Sequence, residues 1–180
     1  MIDLRIAPMG RARVWLQALP DCSYTANEVL ERKVPVVGTA QASARRAAIE
    51  AFAPRGAYCP YGLLGAEFVP DLSGAMTIQV MISTGNLDVL QGVIPGTITD
   101  TVRRGLPSEY ADSVFDGAIQ GNLDAPLGSG VLQFNCAAHG EAGSSRRVFR
   151  QLSEVVTRLV GIDPSSVTME QLLSLIDHKV

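Results

Sequence analysis

The chain has 180 residues, 47% of them hydrophobic and 18% charged. That is enough apolar side chain to fill a core and too few charges for a disordered segment. The formal net charge of −3 excludes a chain-wide basic surface for duplex nucleic acid, so any such contact must be local.

The N-terminus has no charged patch followed by a long apolar run, so no secretory leader is expected. No apolar stretch of about eighteen residues occurs, so no membrane span is expected and a cytoplasmic setting is the default. Residues 11–19 (RARVWLQAL) alternate polar with apolar side chains, as a strand does. Residues 23–33 carry cap-like side chains ahead of Val29 and Leu30 and read as a short helix. The alanine-rich stretch 40–53 reads as helix on propensity, with Thr39 as a possible N-cap. Cys22, Cys59 and Cys136 are an odd, widely spaced set, read as idle thiols and not as a disulfide framework or zinc site.

From Pro54 the chain is rich in turns, with Gly56, Pro60 and Gly62 close behind. Residues 63–69 and 75–83 then read as two strands of an antiparallel hairpin, divided by a turn at 70–74. Residues 85–105 are punctuated by glycine and proline and form a long connection with no assigned element. Pro107 opens a helix whose apolar face is Tyr110, Val114, Ala118 and Ile119, with Gly121 placed to end it. Residues 130–138 (GVLQFNCAA) fit a buried strand with Leu132, Phe134 and Cys136 on its core face. The next helix is capped by Ser144 or Ser145 and stopped by Gly161. Its apolar stripe runs from Val148 to Val160, and Arg146, Arg147, Arg150 and Arg158 lie off it. Leu172, Leu173 and Ile176 mark a short C-terminal helix.

The expected fold class is therefore α+β, a single sheet with helices packed on one face around a ββαβα core. That core occupies residues 42–161. Residues 1–41 form an N-terminal extension of a strand and a short helix packed on it, and 162–180 hold the C-terminal helix.

Three stretches carry a family resemblance. AYCPYGLLGAEFVPDLSGAMTIQVMISTG (57–85) resembles the tip loop and hairpin of the fourth domain of elongation factor G, especially the tetracycline-resistance ribosomal-protection branch. GLPSEYADSVFDGAIQG (105–121) resembles that domain's first helix. GSSRRVFRQLSEVV (143–156) resembles the second, with Ser-x-x-x-Phe-Arg-x-Leu at matching spacing. The resemblance implies an α/β two-layer sandwich that begins with a strand in 42–53, where propensity alone gives helix; packing overrides propensity in such cases, and strand is the reading adopted.

The resemblance also implies contact with the ribosome or structured RNA through two tip loops. The first, 54–62, carries Arg55, Tyr58 and Tyr61; the second, 139–145, carries His139 and is backed by Arg146 and Arg147. Tyrosine faces stack on unpaired bases and arginines pair with phosphate. The chain departs from the family in having no G-x-x-x-x-G-K-[ST] phosphate loop, so no nucleotide and no GTPase engine are expected. Residues 86–104 are an insertion, and the first forty residues do not look like the family's preceding domain.

Two other function classes compete. A small-molecule binder or enzyme on the same fold would use Cys136, His139 and Glu141, cysteine as nucleophile and histidine as base, or the 86–104 insertion. An interaction protein, whether homodimer or docked to another chain, would use the extension or the Leu172/Leu173/Ile176 stripe. No catalytic residue, metal or cofactor is assigned.

Overall fold

A computed structural model describes residues 1–6, 9–36, 43–54, 56, 59–84, 88–94 and 100–177. Its strands are β1 (Ile2–Ile6), β2 (Gly10–Leu16), β3 (Glu28–Val34), β4 (Arg45–Phe52), β5 (Tyr61–Pro70), β6 (Met76–Ile82), β7 (Val102–Arg104) and β8 (Gly130–Gly140). A 3-10 turn at Ser108–Tyr110 leads into α1 (Ala111–Asp124), and α2 (Arg146–Gly161) and α3 (Met169–Asp177) follow β8. The strands form one eight-stranded sheet in the order β1-β2-β4-β5-β8-β6-β3, with β7 paired to the far end of β8. The α+β class and the ββαβα order of β5, β6, α1, β8 and α2 are as expected from the sequence.

Residues 42–53 show why packing can override helix propensity. Ala47, Ala48, Ile49 and Ala51 lie between two neighbouring strands, β2 and β5. Ala47, Ile49 and Ala51 face the helical core, and Glu50 and Phe52 face the other way, so every residue from 47 to 52 is buried. Strand β4 is thus interior on both faces.

The expected hairpin is not formed. Strand β8 lies between β5 and β6, antiparallel to the first and parallel to the second. Leu132, Phe134 and Ala137 bury one face of β8 in the helical core, and α1 supplies the crossover that a parallel pair requires. The loop between β5 and β6 instead clasps the start of β8: Ser129 Oγ donates to Asp71 Oδ1 at 2.8 Å, and Gly130 N–H donates to the Ala75 carbonyl at 3.0 Å.

Residues 23–33, read as a short helix, overlap strand β3, which pairs with β6 along its whole length. Three alternate residues of β3, Leu30, Arg32 and Val34, are half-buried on one side, and this period of two wins over the cap-like residues. Gly121 does not end its helix; α1 continues to Asp124, and Gly121 is buried against α2. Leu172 and Ile176 are also buried, in the same core as Leu4 and Ile6 of β1, so that stripe is part of the fold and not a docking face.

Helix α2 lies over β4 and β5, and α1 over β6. Ser145 caps α2, its Oγ accepting from Val148 N–H at 3.3 Å. At the other end Arg45 NH1 donates to the Gly161 and Ile162 carbonyls, each at 3.1 Å, placing a cation where the helix dipole favours one. Among the described residues, no helix is long and apolar enough to cross a membrane.

Candidate functional site

The two loops singled out in the sequence meet at one end of the sheet. Tyr61 N–H donates to the Gly143 carbonyl at 3.0 Å, and Ser144 Oγ donates to the Tyr61 carbonyl at 2.7 Å. Asp100, from the insertion, accepts from Gly143 N–H at 2.7 Å and from Ala142 N–H at 3.0 Å. A Cβ at Gly143 would lie 2.5 Å from the Cys59 carbonyl oxygen, so only glycine allows this approach of the two loops.

The side chains at this end divide sharply. Arg146 and Arg147 are exposed on the first turn of α2, a turn that holds no acidic residue. Arg146 Nε donates to the Glu109 carbonyl at 3.2 Å. Two cations at the positive end of a helix repel it and leave that end open to an anion. Tyr61 is a different case. Its side chain is buried, and its hydroxyl donates to Glu50 Oε1 at 3.1 Å, so it offers no face to a ligand. The alternation of β5 turns it toward the face opposite the helices, where the insertion covers it. Arg55 and Tyr58 lie outside the described residues.

His139 is half-buried, its Nδ1 3.0 Å from the Gly105 carbonyl. A carbonyl only accepts, so Nδ1 is the donor. Glu141 pairs with Arg103. Cys136 is bonded to Cys22 as a disulfide, which corrects the idle-thiol reading and removes the nucleophile from the imagined trio. Cys59 is the free cysteine. Cys136, His139 and Glu141 therefore do not assemble as a catalytic set: one is oxidised, one holds a backbone carbonyl, and one neutralises an arginine. Among the described residues no group of three His, Cys, Asp or Glu side chains could hold a metal ion.

A second place was not singled out in the sequence. On the face away from the helices, residues 89–93 roof a cleft of about 380 Å³ lined by Arg13, Trp15, Glu50 and Arg104. Glu50 is 1% exposed. Its Oε1 accepts from Ile94 N–H at 2.9 Å as well as from Tyr61, and its Oε2 pairs with Arg13 at 3.1 Å. Arg13 NH1 also donates to the Gly92 carbonyl at 2.8 Å. Burial raises the Glu50 carboxyl above its ordinary value, only partly offset by the Ile94 amide, the Arg13 charge and the Tyr61 hydroxyl. Burial and the neighbouring carboxylate likewise raise Tyr61. The one sequence signal for this pair was a lone acid inside the apolar run AAIEAF. No family model matches the chain, and no curated protein matches it.

Proposed function

We propose that this chain is a non-GTPase binding module for structured RNA, with the ribosome as the particle it contacts, acting through the end of the sheet where the two loops meet. The observation that carries the reading is the Tyr61–Gly143 pairing, which fixes the loops side by side next to the exposed Arg146 and Arg147. Arginines on a helix N-terminal turn present charge and free amide donors to phosphate together. The likeness of 57–85, 105–121 and 143–156 to the decoding-site domain of elongation factor G supports the same surface. Tyr61 drops out of the contact set, and His139 acts there through its hold on Gly105.

A cytoplasmic setting goes with this reading. The Cys22–Cys136 bond pulls the other way, since disulfides persist mainly in oxidising compartments. The deciding experiment is co-sedimentation with ribosomes across a salt series, comparing the chain with Arg146→Ala/Arg147→Ala. Binding should weaken, and the slope of log affinity against log salt should fall by roughly 0.7–0.9 per lost phosphate contact. Indistinguishable binding by the two proteins, or none by either, rules the proposal out.

The Glu50–Arg13 cleft favours a second reading, a small-molecule binder that uses the insertion as its roof. Its volume falls in the usual range for ligand sites, about 300–1,000 Å³. A thermal-shift screen against small polar metabolites checks it; a flat response across the panel disposes of it.

A further inference from the structure

The outer edge of β1 pairs with no strand among the described residues, and its sequence Ile-Asp-Leu-Arg-Ile carries opposite charges symmetrically about Leu4. Asp3 and Arg5 are exposed on the open face, and Leu4 and Ile6 point into the helical core. Within the chain the register with β2 sets Arg5 directly opposite Arg11, a like-charge pair, and Asp3 opposite Arg13. Arg11 relieves itself by reaching diagonally to Asp3 at 2.8 Å. Arg5 has no ion pair among the described residues.

We propose that the chain forms a homodimer by antiparallel pairing of β1 with β1 of a second copy, centred on Leu4. In that register each Asp3 faces the second copy's Arg5, Leu4 meets Leu4, and Ile2 meets Ile6. Two charge pairs form on the open face, Arg5 gains the acid it lacks, and the helices of both copies lie on one side of a continuous sheet. The backbone supplies the hydrogen bonds and the side chains fix the register, as in strand addition generally. The other edge does not offer this. Centred on its middle residue, β3 would set Glu31 against Glu31.

The experiment is equilibrium sedimentation of the full chain, of Asp3→Lys, of Arg5→Glu, and of the two variants mixed. The parent should run at twice 19.1 kDa. Each variant alone opposes like charges and should dissociate roughly tenfold more readily or worse. In the mixture the lysine introduced at position 3 of one copy faces the glutamate introduced at position 5 of the other, and the unaltered Arg5 and Asp3 face each other. The mixture should therefore regain the parent's affinity, with native mass spectrometry showing one copy of each. Arg5→Glu gives Arg11 an acid across the strand, so loss of its dimer is not loss of its fold; circular dichroism of each variant checks this. A monomeric parent overturns the proposal, because Asp3 and Arg5 would then be guarding the edge. So does a dimer indifferent to both substitutions, or a mixture that stays monomeric.

Discussion

The Tyr61 hydroxyl donates to Glu50 Oε1 across 3.1 Å, both side chains being shut away between the sheet and residues 88–94. Glu50 also takes the Ile94 amide and the Arg13 guanidinium. The carboxylate thus ties two strands to the insertion that covers them.

Removing the hydroxyl leaves Glu50 short of one donor in a buried setting. Tyr61→Phe should cost about 1–2 kcal/mol by urea denaturation. Because Tyr61 offers no face to solvent, the same variant should bind ribosomes as the parent does. Loss of binding without loss of stability would return Tyr61 to the contact surface.

The raised Glu50 carboxyl gives stability a definite pH dependence. The folded chain holds this proton more tightly than the unfolded chain, whose carboxyl titrates near the ordinary 4.5. The contribution is therefore fully present below 4.5 and is lost as pH rises through the folded pKa above it. Glu50→Gln cannot titrate. The stability difference between parent and variant should shift against the parent from 4.5 upward and then level off. Parallel stability curves for the two proteins across that window would contradict the burial argument.

The Cys22–Cys136 bond closes a loop of 114 residues. Cross-links that span long loops restrict the unfolded chain most, and cutting this one should cost roughly 2–5 kcal/mol. Cys22→Ser and reductant added to the parent should lower the urea midpoint equally, and reductant should leave the variant unmoved. Alkylation of the denatured, unreduced parent should label Cys59 alone. Labelling of all three cysteines would remove the cross-link.

That bond also shows where the sequence stops being legible. Read as a regular strand, 130–138 places Cys136 beside Phe134 in the helical core. The register of β5 with β8 slips between Gly65 and Ala66, so that Gly65 faces Cys136, Ala66 faces Phe134, and Asn135 is left over as a bulge. One extra residue inverts the alternation: Phe134 stays under the helices, and Cys136 emerges on the other face against Cys22. No local feature of GVLQFNCAA announces the extra residue. The same limit hid the Glu50–Arg13 pair, whose members lie on different strands and meet only through the β2–β4 register. The α2 helix, by contrast, is specified by its own cap and stripe: the sequence narrows the cap to Ser144 or Ser145, and Ser145 fills it. The two loops at the sheet end were legible in position, and the burial of Tyr61 was not.

The contact between α1 and α2 rests on Gly121, which the sequence reads only as a helix stop, and on Gly117, to which it gives no role. A Cβ on Gly121 would sit 2.7 Å from the Glu154 carbonyl oxygen and 2.8 Å from the Thr157 Cβ, and one on Gly117 would fall on the Arg150 carbonyl oxygen. The closeness lets Ser153 Oγ donate to the Val114 carbonyl at 2.6 Å from one helix to the other. Alanine would gain about 1 kcal/mol of helix propensity at either glycine. Forcing the helices apart should outweigh that gain, for a net loss of about 2–3 kcal/mol in Gly117→Ala or Gly121→Ala. Asp116→Ala, on the exposed side of the same helix, should stay within about 0.5 kcal/mol of the parent. If urea denaturation finds the glycine variants as stable as Asp116→Ala, backbone approach is not what joins the two helices.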